Sequence, residues 1–148
     1  KWSNKGVLSG NGVNKFDNRG NLIESNSYNN GKLSVRNIYK YDNADNKTES
    51  SIYTEDGSLN TKYTYIYDAS GKLIEEKGYT PKGELYFTDT YDYKDGLLIG
   101  YVDISNNVST NFSYKYLKMD SEGNWLVKVK FKNSVPISLV ERKIEYSK

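Results

Sequence analysis

The chain has 148 residues, enough for one domain or for one stretch of a longer repeat array. Its 21 basic and 19 acidic residues leave a net charge of +2, too balanced to single out nucleic acid or an anionic membrane as a partner. It has no cysteine and no histidine, which excludes a disulfide framework and a thiolate metal site and removes the commonest general base and transition-metal ligand.

Fifteen tyrosines against four phenylalanines and one methionine mean that aromatic rings must supply much of the covered area. A tyrosine needs a partner or water for its hydroxyl, which suits half-buried positions on a pleated surface. In chain order, an aromatic residue, a short polar link, a glycine and a leucine recur as WSNKGVL from Trp2, FDNRGNL from Phe16 and YNNGKL from Tyr28. A copy without glycine, YDNADNK, begins at Tyr41, and regular copies follow at Tyr53, Tyr67, Tyr79 and Tyr93. Degenerate copies begin at Tyr101, Tyr116 (YLKMDSEGNWL, with an insertion) and Phe131. Paired units repeat at 25 or 26 residues, from Phe16 to Tyr41, Tyr67 and Tyr93.

Each link reads as a tight turn between strands, its glycine supplying positive φ. Short links cannot cross over to a parallel strand, so successive hairpins are the expected topology. Alternation supports this: Tyr63, Tyr65 and Tyr67 fall on one face, as do Phe112, Tyr114 and Tyr116. Trp125, Val127, Val129 and Phe131 read as one face opposed by Lys128, Lys130 and Lys132, and Ile144 and Tyr146 as a last alternation. The expected fold is all-β: an antiparallel meander of about ten strands built from ~25-residue repeats, as a curved single sheet or rolled like a barrel, with one face buried. Residues 1–148 read as one β-repeat domain, and the charged ERKIEYSK as an end strand that discourages edge pairing.

YDASGKL (Tyr67–Leu73), with the Y-x-Y-D pattern that accompanies it, resembles the YD repeats of the Rhs group. EGNWLVKVKF with the later ERKIEY (Glu122 to Tyr146) is similar to the endings of short envelope or secreted repeat proteins of Bacteroidetes. The resemblance implies strand–turn–strand modules at cell surfaces, without an assigned activity, and supplies no catalytic residue. It implies an extracytoplasmic, periplasmic or cell-surface location, and Lys1 leading straight into repeat-like sequence fits a mature or trimmed chain. The chain has no room for the toxin cargo of a complete Rhs shell.

Candidate chemistry is sparse. Asp89, Asp92 and Asp103 are carboxylates near a break in the repeat, as glycoside hydrolysis would require, but Asp92 sits where other units carry their repeat aspartate. Asp42–Asn46 (DNADN) is rich in oxygen ligands yet lacks the glycine and distal glutamate of an EF-hand, and Asx-turn chemistry accounts for it. Asn-x-Ser/Thr triplets at Asn46, Asn107 and Asn111 are expected by chance in an Asn- and Ser-rich chain. Tyrosines at framework positions serve cross-strand packing, whereas Tyr86, Phe87 and Trp125 depart from the repeat and are the candidate binding aromatics. The expected role is a non-enzymatic module without cofactor or metal that binds protein or glycan, with a structural spacer as the alternative and a carbohydrate-active enzyme more distant. No apolar run is long enough for a membrane span, and self-association through sheet edges is a further expectation.

Overall fold

The computed structural model describes residues 10–146 as eleven β-strands without a helix. They are β1 (Gly10–Phe16), β2 (Leu22–Asn29), β3 (Lys32–Tyr41), β4 (Lys47–Thr54), β5 (Leu59–Tyr67), β6 (Leu73–Tyr79), β7 (Leu85–Lys94), β8 (Leu97–Ser105), β9 (Val108–Met119), β10 (Trp125–Lys132) and β11 (Val135–Glu141). Each strand follows its sequence neighbour in the order β1 to β11, so the fold is an antiparallel meander that does not close on itself. The repeat unit from Trp2 lies outside the described residues. Two compact units are distinguishable, one ending at Phe87 and the other beginning at Thr88.

Two kinds of link make the hairpins. Six are led by Asp17, Asp42, Thr54, Asp68, Thr80 and Asp120, whose N–H donates to the carbonyl four residues on and whose carbonyl accepts from the N–H three residues on. That third residue takes left-handed φ, as Gly71 does at 79°. Asp45 occupies the same place in the copy without glycine, at φ 62°. It is held there by Asn21 Nδ2 (2.6 Å) and the Arg19 guanidinium (3.1 Å) from the neighbouring turn. Four other links have two residues, Asn30–Gly31, Asp95–Gly96, Asn106–Asn107 and Asn133–Ser134, all at positive φ as the right-handed twist of paired strands favours.

The repeated Tyr-Asp pair has a physical meaning. The carboxylate closes its own turn: Asp68 Oδ1 accepts from Ser70 N (2.8 Å) and Lys72 N (2.9 Å), and Asp17, Asp42 and Asp120 do the same for their links. Asp42–Asn46 is therefore an Asx turn. The tyrosine reaches sideways: Tyr41 Oη donates to Leu22 O at 2.9 Å and Tyr67 Oη to Lys47 O at 3.0 Å, each on the adjacent strand. In the second unit Tyr116, four residues before Asp120, donates to Leu98 O at 2.8 Å.

Three expectations are corrected. No hydrophobic residue among those described is fully buried, so the face expected to be buried is only half-covered in either unit. Trp125 does not share a face with Val129 and Phe131. The β9–β10 register shifts between Trp125 and Val127 and again between Val127 and Lys128, which turns Lys128 and Lys130 onto the tyrosine side, opposite Tyr116 and Tyr114. Val129 and Phe131 pair with Lys115 and Ser113 on the other face. Finally, ERKIEYSK is not the end strand: β11 is VPISLVE, and residues 142–146 leave the strand. Arg142 and Tyr146 fold back on Trp125 and Asp120, which explains the departure.

Candidate functional site

In the first unit, small residues alternate with rings across the strands. Tyr39 pairs with Ser50, Ser50 with Tyr63 and Tyr63 with Gly78. Ser50 is buried, and a Cβ on Gly78 would collide with the Phe87 ring and stand 2.8 Å from Tyr86 Cζ. Tyr86 and Phe87 thus meet over Gly78, edge to face at 5.1 Å, with Phe87 6.1 Å from Tyr63 and the Tyr86 and Tyr63 hydroxyls 3.4 Å apart. Desolvation pushes the Tyr86 and Tyr65 phenols up to about 12. These rings are half-buried, packed on one another rather than standing free.

The opposite face of that unit carries charge in compensated pairs. Glu49 receives Lys40 and Lys62, both at 2.8 Å, and Glu24 receives Lys15 at 3.0 Å and Arg36 at 3.4 Å. Lys77 pairs with Glu75 at 2.7 Å. On the tyrosine face Lys47 lies between two rings, 4.9 Å from the centre of Tyr65 and 5.7 Å from that of Tyr39.

The second unit elaborates that last arrangement. Tyr101 pairs with Phe112 across β8 and β9 and stacks on it at 4.5 Å, with Tyr91 5.7 Å from Tyr101. Lys130 lies 4.4 Å from the Phe112 ring centre and 5.2 Å from that of Tyr101, and its ammonium donates to Tyr101 Oη at 3.1 Å. That hydrogen bond, more than the opposing desolvation, raises the Lys130 pKa. Lys128 lies 4.2 Å from the Trp125 ring and 5.5 Å from Tyr114. The Arg142 guanidinium is 3.8 Å from the indole centre, and its Nε donates to Trp125 O. Trp125 is therefore flanked by Lys128 and Arg142, and Tyr114 links Lys128 to Lys130; alternation alone assigned these cations elsewhere or passed them over.

No protein-family model matches the chain, and no curated protein matches it.

The remaining candidates have local roles. Asp89 Oδ2 accepts from Tyr91 Oη at 3.3 Å and Asp103 Oδ1 from Ser105 Oγ at 2.9 Å, while Asp92 is exposed. Asn46 Nδ2 donates to Asp42, Asn107 forms half of a two-residue turn, and Asn111 N donates to Asn133 Oδ1. Among the described residues no group of three His, Cys, Asp or Glu side chains converges as metal ligands would, and no helix is long and apolar enough to cross a membrane.

Proposed function

We propose that the chain is a non-enzymatic binding module of the cell envelope, using the ring-bearing faces of its sheet to hold a partner. The observation that carries this reading is that the described rings other than Phe16 and Tyr146 are half-buried, and none of the hydrophobic residues described is fully buried. A half-covered surface of that kind presents ring edges and phenol groups to a ligand at little cost in reorganisation. The non-catalytic part is supported by the local hydrogen bonds of Asp89 with Tyr91 and of Asp103 with Ser105, and the envelope location by the resemblance to YD-repeat proteins.

Binding through the face is favoured over strand addition at β11. That strand offers apolar side chains, with Ile137 51% and Leu139 59% exposed, but Pro136 lacks the N–H a ladder requires. A register shift between Lys130 and Phe131 interrupts the same strand pair. A second reading, a structural spacer, is supported by the recurrent tyrosine-to-carbonyl bonds, which tie the β2–β3, β4–β5 and β8–β9 hairpins without any ligand.

Intrinsic fluorescence titrated with a panel of polysaccharides and candidate proteins separates the two. Saturable quenching that weakens on Trp125→Ala or Tyr86→Ala supports the binding module. A folded chain unresponsive to the whole panel supports the spacer.

A further inference from the structure

We propose that the groove between the Asp42–Asn46 and Asp68–Lys72 turns binds the guanidinium of an arginine side chain on a protein partner. This contact lies among the turns of the first unit and stands apart from the ring-face reading.

The chain supplies its own example of such a contact. The turns Asp17–Asn21, Asp42–Asn46 and Asp68–Lys72 have one length and one hydrogen-bond pattern, so Arg19, Ala44 and Ser70 hold equivalent places. Between the first two turns the Arg19 guanidinium donates to Asp42 O at 3.0 Å and to Asn43 O at 3.3 Å. It also pairs with Asp45 at 3.1 Å, and its Nε lies 3.8 Å from Asp17 Oδ2. Between the second and third turns an alanine stands in the arginine's place. A groove of about 850 Å³ opens there, with Ala44, Asp42, Asp68, Ala69 and Gly71 in its wall. The two junctions match in their other half. Asn21 bonds to Asp45, and a Cβ on Gly71, the residue equivalent to Asp45, would stand 3.7 Å from Asn46 Oδ1.

The equivalence also names the acceptors. The carbonyls of Asp68 and Ala69 replace those of Asp42 and Asn43, and the Asp42 carboxylate replaces that of Asp17. Asp45 has no counterpart, because Gly71 carries no side chain. A guanidinium has five donors fixed in one plane and can engage two carbonyls and a carboxylate together, whereas an ammonium is a compact point charge. The Lys72 ammonium, bonded to Ser70 Oγ at 2.9 Å in the same turn, opposes a second cation. Affinity for an isolated arginine should therefore be weak, about millimolar. A free amino acid would bring its α-carboxylate toward Asp42 and Asp68, so the groove favours an arginine whose main chain is uncharged, as in a protein.

The test follows backbone amide resonances of the full chain titrated with N-acetyl-arginine amide, N-acetyl-lysine amide and free arginine. Saturable shifts at Ala44, Ala69 and Gly71 are expected with the blocked arginine, and weaker binding with the other two. Ala44→Arg fills the groove from within and should abolish the shifts, whereas Ala44→Ser leaves the space open and should retain them. Asp42→Asn keeps the turn's acceptor and removes the charge, which should weaken binding about twofold to fivefold. Shifts that are absent or scattered over the sheet, equal affinity for the blocked lysine, or unchanged binding in Ala44→Arg would overturn the inference. Tighter binding of free arginine would overturn its assignment to a protein partner.

Discussion

The hydroxyl of Tyr67 donates to the main-chain carbonyl of Lys47 at 3.0 Å, tying the end of β5 to the start of β4. Tyr41 with Leu22 and Tyr116 with Leu98 repeat the relationship. It gives the repeat a reason for tyrosine rather than phenylalanine, since a ring alone fills the half-buried site but leaves the bond unmade.

Tyr67→Phe should therefore lower stability by about 0.5–1.5 kcal/mol, the net worth of one hydrogen bond. Urea unfolding of Tyr67→Phe and Tyr116→Phe measures this. An unchanged midpoint for both would show that water replaces the phenol fully.

Gly78→Ala should be costlier, because its Cβ would enter the space of Phe87 and Tyr86. Overpacking of this kind destabilises by about 1–3 kcal/mol. Near-ultraviolet circular dichroism should lose aromatic signal with it. Gly100→Ala tests a harder obstacle, the Phe112 carbonyl oxygen 2.7 Å from the new Cβ, whereas Gly12→Ala meets only ordinary contact at 3.5 Å. Equal behaviour of all three variants would refute the packing argument.

Acid should weaken the turns. The Lys72 amide and Ser70 hydroxyl hold Asp68 below its usual value of 3.8, Asn46 does so for Asp42, and the Tyr146 hydroxyl for Asp120. A depressed carboxylate contributes stability that is complete above the unfolded pKa and is lost as pH falls through the folded one. Tm should accordingly drop below about pH 4, the ordinary carboxylate range. In Asp68→Asn the drop should be smaller, since the amide oxygen still accepts but does not titrate. A wild-type acid profile retained in that variant would place the effect elsewhere.

Base acts on the rings. Tyr65 and Tyr86 are raised to about 12 by desolvation, which favours the neutral phenol in the folded chain. Their stabilising contribution is present below the usual phenol pKa near 10 and is lost as pH rises through about 12. A phenolate absorbance titration should show a late fraction that Tyr65→Phe reduces. Ionisation of every tyrosine in one step near 10 would contradict the packing at β5 and β7.

Much of the fold was legible because turns and strands write separate signatures. The Asp-led links and the Asn-Gly and Asp-Gly pairs mark the hairpins, and alternation at Tyr63–Tyr67 and Phe112–Tyr116 assigns faces correctly. The site was less legible. WLVKVKF reads as one strict alternation, and the register shifts beside Val127 that break it arise only when β9 and β10 pair. The same shifts bring Lys128 to Trp125. Arg142 was hidden for another reason: ERKIEY has a strand-like pattern, but the contacts of Arg142 and Tyr146 with Trp125 and Asp120 draw it out of the ladder. Tyr86 and Phe87 were singled out as departures from the repeat, and they do meet, over a glycine whose role no local pattern announces.

Because every strand follows its sequence neighbour and the Asp42 and Asp68 links share one geometry, length itself becomes a heritable variable. Excising one 26-residue period, residues 43–68, would join Asp42 directly to Ala69 and restore an Asp-led link with Gly71 in the left-handed place. Removing or adding a whole period therefore shortens or lengthens the array without inventing a new junction.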